Sequence, residues 1–388
     1  MPSRSRRSSH QQPGTRVLGW LAAVLPFVAS WAQASSAQAE PPHDEAGPLR
    51  LAVIGFVHGH VEGALWNARD RDDIEIVGVW EPNQALFDRL AAKYGLDPSL
   101  RHDDLGAMLD ATKPHAASVM TSTRDHLMAV RACAPRGIHT LVEKPLAITS
   151  DEAREIADLA ATHNVHVLTN YETSWYASVR AAHAMTRPGE PHATIRRAVF
   201  RHGHKGPKEI GCGEEFLEWL CDPEANGAGA LYDFGCYGAN QMTWLMNNQR
   251  PTSVHAVAHT LKPDLYPRVD DDATIVLTYP TATAVIQASW AWTHDNKETD
   301  LHTEGGSIHC GKWSELTVRA PDQAPKEVRP PDLPGTHANE WTHLRRVALL
   351  GDAPDPLASL ENNLIVVEIL EAARESARAG RAVLLDTP

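Results

Sequence analysis

No stretch of this 388-residue chain stays apolar long enough to cross a bilayer. The longest such run, residues 17–31, falls short of the roughly 20 residues a spanning helix needs, and it contains Pro26. Cysteine is scarce as well. The five (Cys133, Cys212, Cys221, Cys236 and Cys310) show no C-x-x-C spacing, and an odd number this small argues against a disulfide framework. Cys212 and Cys221 are the one plausible pair, and the others read as small buried hydrophobes. Acid is missing from the first 39 residues, which hold four arginines, although the whole chain carries a net charge of −13. The body beyond residue 39 is therefore strongly acidic. Such a surface cannot neutralise a phosphate backbone, so nucleic acid is not an expected partner. What is there is ordinary globular material, 43% hydrophobic and 22% charged, enough for about two domains of roughly 150 residues.

The acid-free start reads as an address. Arg4, Arg6, Arg7 and Arg16 precede the apolar run, and small residues ending Ser36-Ala37-Gln38-Ala39 follow it. A basic start, an apolar centre and an A-x-A exit describe a secretory signal peptide over residues 1–39. Cleavage is expected after Ala39, with Ala34 as second choice, so the mature protein is expected in the periplasm or outside the cell. Arg6-Arg7 raises the twin-arginine route, although Ser8-Ser9-His10 lacks the apolar residues that usually follow the pair.

From residue 49 to about 170 the pattern alternates short apolar runs with amphipathic segments. Strands are expected at 50–55, 74–80, 116–120, 139–142 and 165–169, and helices at 61–69, 83–94, 124–134 and 150–163, the last capped by Ser150 or Asp151. Strand, helix and strand joined by short connections predict a doubly wound parallel sheet, with ligands at the carboxyl ends of its strands. Three segments fall there. In Gly55-Phe56-Val57-His58-Gly59-His60 only Gly55 fits the dinucleotide fingerprint G-x-G-x-x-G, with Val57 and His60 in the other two glycine places. The helix that follows can still offer N–H groups to a pyrophosphate. Glu81 ends the second strand, where an acid can take both hydroxyls of an adenosine ribose and repel a 2′-phosphate, favouring NAD over NADP. Its bland reading is a solvated acid in a turn. Lys144, in Glu143-Lys144-Pro145, sits at a strand end with its side chain directed at the crevice, and the proline restricts its backbone.

Beyond residue 171 the rhythm changes to alternating strands at 193–202, 253–260, 273–279 and 283–292, as in a sheet with one covered face. Between them a small-residue run leads into LYDFGCYGANQMTWLM, read as one helix that places Asp233 and Tyr237 on one face. A carboxylate beside a phenol can handle a proton; the bland reading is a buried Asp–Tyr hydrogen bond. His58 and His60, and likewise His202 and His204, could chelate, but no third ligand is evident and no metal is expected. Trp290 and Trp292 share a face of the last strand, as core residues or as stacking platforms for a sugar. Helices are expected at 339–350 and 360–379.

Taken in order, VIG after the first strand, VWEPNQALFDRLAAKYG, His126 at a helix start, GIHTLVEKPLAITSDEA, GAGALYDFGCYGANQ and the closing ESARAGRAVLL make a set. Over residues 49–385 it resembles the Gfo/Idh/MocA family of nicotinamide-dependent oxidoreductases, and in particular its exported glucose–fructose oxidoreductase-like branch. The resemblance implies an α/β fold: an N-terminal Rossmann-type doubly wound parallel sheet (49–170) plus a C-terminal α+β domain (171–388) with a large open, mostly antiparallel sheet. It implies a tightly held NAD contacted by Gly55, Phe56, Val57, His58, His60, Glu81, Thr121, His126, Glu143 and Lys144. Lys144 would be the catalytic lysine, Asp233 its partner on the substrate helix, and Tyr237 the general acid/base. A free phenol ionises near pH 10, so Tyr237 needs a cation beside it, and Lys144 is the candidate. The implied substrate is a sugar, glycoside or polyol, and the C-terminal sheet is a surface for a homo-oligomer. The other readings are an NAD-dependent glycoside hydrolase or lyase working through transient oxidation, and a non-enzymatic nucleotide or sugar sensor.

Overall fold

A computed structural model describes residues 47–335 and 339–385. The expected signal segment, with its arginines and cleavage sites, lies outside the described residues. Six strands form a wholly parallel sheet: β1 (Leu49–Ile54), β2 (Ile74–Trp80), β3 (Arg101–His102), β4 (Ala116–Val119), β5 (His139–Glu143) and β6 (Val167–Asn170), in the order β3-β2-β1-β4-β5-β6. Helices on both faces bury the middle strands, and for that reason β1 beyond Arg50 and β4 read as continuous apolar or small-residue runs rather than alternating ones. Local chemistry sets the ends of the helices. Asn83 accepts the Leu86 N–H at the start of Gln84–Tyr94, and Gly95 closes that helix in the left-handed region at φ 74°. The cap of Ser150–His163 is Thr149, not Ser150 or Asp151. Thr149 and Glu152 accept each other's backbone N–H, a reciprocal box that the two later residues could not make.

The second sheet has nine strands: β7 (Ile195–Gly203), β8 (Ser253–His259), β9 (Asp272–Thr278), β10 (Thr283–Ser289), β11 (Asn296–Thr303), β12 (Gly306–Cys310), β13 (Leu316–Arg319), β14 (Lys326–Glu327) and β15 (Val383–Leu384). Their order is β14-β13-β12-β11-β7-β10-β9-β8-β15; β7 and β10 run parallel and every other neighbouring pair antiparallel. Ala284, Ile286 and Ala288 of β10 face inward beneath the helix Gly235–Leu245, while Thr283, Val285 and Gln287 face the other side.

Two expectations change here. The last strand stops at Ser289; the Trp290 N–H still donates to Asp271 O in continuation of the β9 register, but Trp290 and Trp292 lie beyond the strand. The expected single helix is two, Ala230–Asp233 and Gly235–Leu245, with Phe234 at the joint. Upstream, Asp270 accepts the N–H groups of Gly229 and Leu231 at 2.8 and 2.7 Å and fixes the start of the first piece.

The C-terminal helices join the two sheets. Trp341, Leu344 and Val347 of Glu340–Leu350 enter the core with Leu51, Val53 and Ala116 of the parallel sheet, and Trp341 Nε1 donates to Ser118 Oγ. The 20-residue helix Leu360–Ala379 packs on β8 and Gly235–Leu245 on one side and on Ser150–His163 and β6 on the other. No helix among the described residues is long and apolar enough to cross a membrane.

A Cβ on Gly229 would come within 1.8 Å of Asp270 O, whereas one on Gly137, itself at φ 71°, would meet nothing within 4 Å. Gly229→Ala should therefore lose about 3 kcal/mol of stability, and Gly137→Ala about 1 kcal/mol. Urea midpoints of the two variants check the difference.

Candidate active site

The carboxyl ends of β1, β2, β4 and β5 converge on one crevice. Gly55 ends β1 at φ 80°, and a Cβ there would meet Thr121 Cγ2 at 2.7 Å, so the glycine lets the turn close against the end of β4. The Phe56 ring is core, stacked on Phe87 at 5.9 Å, and its N–H donates to Glu81 Oε2 at 2.7 Å. Glu81 also accepts the Asn83 N–H at 2.7 Å, and only 1% of it is exposed. It is neither a solvated turn residue nor an open ribose acceptor. It ties the turn to the second strand, with burial raising its pKa, and only the lone pairs that these bonds leave can face a ligand.

Val57 O accepts Trp219 Nε1 at 3.2 Å. His58 Nδ1 accepts the His60 N–H at 3.2 Å, which leaves the ring proton on Nε2; that buried atom has no hydrogen-bond partner and lies 4.0 Å from Glu143. His60 Nδ1 meets Glu143 Oε2 at 2.9 Å, and Asn170 Nδ2 donates to Glu143 Oε1 at 2.9 Å. Burial alone would raise the pKa of Glu143, but His60, His58 and Asn170 together hold it low, as a carboxylate. Glu143 is thus the third group that sequence spacing could not supply to the His58-x-His60 pair, and the three ligand atoms lie within 4.8 Å of one another. The proton placed on His58 Nε2 opposes metal binding through that atom. On the other side, Thr121 Oγ1 donates to Ser122 O, and His126 is buried with Nδ1 on Leu146 O and Nε2 unpartnered. A glycine turn, two buried imidazole atoms without partners and a fixed carboxylate suit a polar ligand such as a dinucleotide.

Lys144 follows at the end of β5, its bond to Pro145 cis. Its Nζ donates to Asp233 Oδ1 at 2.5 Å and to Asp233 O at 3.3 Å, which leaves the ammonium a further N–H. Asp233 Oδ2 accepts the indole N–H of Trp290 at 2.8 Å. Burial works against both charges, yet each partner outweighs it: Lys144 is shifted up and Asp233 down, so the pair stays ionised. The Asp–Tyr hydrogen bond of the bland reading is not what forms.

Tyr237 lies beside this pair, 2% exposed, with Lys144 Nζ 5.5 Å from its ring centre. The expectation that Lys144 lowers its pKa is corrected. Burial first, then the carboxylates of Glu172, Asp233 and Glu143, push the phenol well above its ordinary value, while the lysine charge faces Asp233. The phenol is a proton donor at neutral pH.

Sequence reasoning gave several neighbours of Tyr237 and His58 no part in the site. Lys297 on β11 places its Nζ 5.3 Å from the Tyr237 ring centre and pairs with Glu172, which also accepts the Tyr176 hydroxyl. His202 is fully buried 5.7 Å from Tyr237, and neither of its nitrogens has a partner. His204, expected beside it as a possible chelator, instead accepts the Gly206 N–H. Phe216 and Trp219, on the helix Glu214–Leu220, pack against His58 at 5.2 and 5.5 Å. Trp219 alone offered a signal, as an isolated tryptophan ahead of the small-residue run. All five cysteines, Cys212 and Cys221 included, are free thiols.

A parallel sheet with a ligand crevice, joined to a mixed sheet that delivers a carboxylate and a phenol to it, defines a nucleotide-dependent oxidoreductase architecture. Residues 49–171 match the family described as "Oxidoreductase family, NAD-binding Rossmann fold", and residues 176–309 match the "GFO/IDH/MocA C-terminal domain". The chain belongs to the Gfo/Idh/MocA oxidoreductase family, and its N-terminal domain is of the NAD-binding type. It is 29% identical over 220 residues to D-glucoside 3-dehydrogenase of Escherichia coli, covering 54% of this chain and 58% of that protein. To the rhizopine catabolism protein MocA of Rhizobium meliloti it is 30% identical over 214 residues, 53% and 59% of the two chains. It therefore spans less than two thirds of the length of these relatives. Among solved structures, an inositol dehydrogenase homologue from Azotobacter vinelandii complexed with NAD+ shares the fold at a TM-score of 0.75 and 19% identity, covering 88% of this chain and 98% of that one. An aldose–aldose oxidoreductase from Caulobacter crescentus complexed with glycerol does so at 0.74 and 20%, covering 87% and 100%.

The buried histidines make the fold acid-sensitive. Burial lowers His126 to about 4 and His202 to about 3. Below about pH 6.5 the unfolded chain takes up protons that the folded one refuses, so stability should fall as pH drops from there through the folded values. Urea midpoints taken from pH 7 to 4 should decline, and His202→Leu should flatten the decline.

Proposed function

We propose that the chain is an exported, nicotinamide-dependent oxidoreductase that transfers hydride between a hydroxyl-bearing carbon of a sugar, glycoside or polyol and tightly bound NAD. The observation that carries this reading is the buried Lys144–Asp233 pair at the crevice, with the Tyr237 phenol beside it. The names of the relatives, D-glucoside 3-dehydrogenase among them, support a carbohydrate substrate. Residues 49–170 would hold the nucleotide and 171–388 the substrate side. NAD would supply the hydride acceptor. Gly55, Val57, His58 and His60 would face its phosphates, Thr121 and His126 the far wall, and Glu143 the nicotinamide end. The covering helix Glu214–Leu220 supports tight retention of a nucleotide where free NAD is scarce. Export rests on the signal-like residues 1–39, and the open face of the nine-stranded sheet is the surface for a homo-oligomer.

In carbonyl reduction the spare Lys144 N–H and the Tyr237 hydroxyl would both donate to the reacting oxygen, stabilising the negative charge that develops there. Asp233 keeps the ammonium charged and aimed. Tyr237 would give its proton to that oxygen, and in the oxidative direction the same group, as the phenolate, would take the alcohol proton. Because its phenol is protonated at neutral pH, the site favours giving a proton to a carbonyl over taking one from an alcohol.

Two outcomes follow from these assignments. Lys144→Arg, which keeps the charge but misplaces the donor, should cut turnover by about 10²–10⁴-fold, while NAD still binds in an equilibrium titration; full activity in that variant would remove Lys144 from the chemistry. Alcohol oxidation should rise as pH is raised above neutral, with carbonyl reduction lacking that rise, and Tyr237→Phe should abolish the pH dependence. Measuring net cofactor reduction separately from glycosidic cleavage tells the dehydrogenase from a hydrolase or lyase.

A further inference from the structure

Beside the catalytic cluster, Glu172 and Lys297 form an ion pair that the chemistry above does not use. Its place follows from the topology. Glu172 begins the single helical turn Glu172–Trp175 just after β6, whose Asn170 lies in register with Glu143, the residue before Lys144. It therefore stands at the carboxyl end of the parallel sheet, one strand over from the catalytic lysine. Lys297 comes from the mixed sheet. It lies opposite His202 of β7 and shares a face of β11 with Thr299, whose hydroxyl donates to Gln241 Oε1 on the helix that carries Tyr237. The two halves of this pair thus arrive from the two sheets, as Lys144 and Asp233 do.

Several observations tie the pair to the site. Lys297 Nζ is 5.3 Å from the Tyr237 ring centre, and of the charges acting on that phenol the Glu172 carboxylate has the largest effect. His60, bonded to Glu143, is in turn among the charges acting on Glu172. The carboxylate is therefore close to the phenol and to the nucleotide end at once. It is also the more open pair: the Glu172 side chain is 33% exposed, against 5% and 7% for Lys144 and Asp233. Burial alone would raise the Glu172 carboxyl, but Lys297 and the Tyr176 hydroxyl hold it below its ordinary value. Each of its oxygens keeps a lone pair, and Lys297 keeps N–H groups beyond the one on Glu172. A hydroxyl can use both, donating to the carboxylate and accepting from the ammonium. An anionic ligand instead needs a cation that is not already matched, and here Lys144 and Lys297 each face a carboxylate. His202, opposite Lys297, adds no charge, since burial lowers it to about 3.

We infer that the Glu172–Lys297 pair sets substrate specificity: it takes a hydroxyl next to the reacting one, and it selects an uncharged sugar or polyol over a sugar acid. Glu172 and Lys297 hold the substrate, while Lys144 and Tyr237 remain the groups on the reacting oxygen. The inference rests on the carbohydrate reading of the active site.

The test uses the full chain loaded with NAD and measures binding of methyl β-glucoside and of methyl β-glucuronide, which differ in a single carboxylate, by calorimetry. Wild type should bind the neutral sugar about tenfold more tightly or better. Glu172→Gln leaves Lys297 without its counter-charge, so it should weaken the glucoside and tighten the glucuronide. Lys297→Met should weaken the glucoside without any gain for the glucuronide. Circular dichroism checks that both variants are folded, and the wild-type ratio decides the matter without either of them. Equal binding of the two sugars by wild type, or a preference for the glucuronide, overturns the inference and leaves the carbohydrate reading standing. So does a Glu172→Gln variant that loses both sugars in equal proportion, which is the result a merely structural pair would give. Failure of wild type to bind either sugar while it binds NAD overturns the carbohydrate reading and the inference with it.

Discussion

A lysine from the parallel sheet and an aspartate from the helix lying over the mixed sheet meet as a buried ion pair, and much else is arranged around that contact. Two charges out of water are tolerable only when each is fully bonded, and breaking one side of such a pair costs about 3–5 kcal/mol. Asp233 answers the requirement with both oxygens, one on Lys144 and one on the Trp290 indole. The strand before Trp290 stops at Ser289, and the helix carrying Asp233 ends just before Phe234. These apparent irregularities bring together residues from distant parts of the chain. The reading of Lys144 and Tyr237 as a working pair inherits its geometry from this contact.

The second ion pair makes the surroundings of Tyr237 more balanced than one lysine would. Lys144 and Lys297 both lie within about 5.5 Å of the ring centre, each facing its own carboxylate. The phenol thus sits among neutralised charges, and burial decides its proton affinity. The crevice around Glu143 is held the same way, by polar neighbours rather than by solvent.

Much of the parallel sheet was legible because its signals are local: apolar runs of strand length, amphipathic helices between them, and Gly95 or Gly55 where the backbone turns left-handed. Lys144, Asp233 and Tyr237 were recognised as an ordered set, and the structure does bring them together. What stayed hidden depended on partners far away in sequence. β11, NKETDLHT, lies in the interior of the nine-stranded sheet but is too polar to announce itself, and Lys297 was missed with it. Glu81 looked like a free acid because spacing does not reveal that two backbone N–H groups would claim it. The cap of Ser150–His163 slipped by one residue for a simpler reason: three adjacent residues could all cap, and only the reciprocal bond to Glu152 chooses Thr149.

Trp341 reaches the core beneath β1 and β4 from a helix nearly three hundred residues downstream of β1. β1, the first of the described strands, therefore waits for the helix Glu340–Leu350 before that face is covered. Contacts of such separation are slow to close, since the loop between them must be ordered first. Until that helix is available, the apolar surface around Leu51 and Val53 stays uncovered, so completion of the parallel-sheet core becomes a late event in folding.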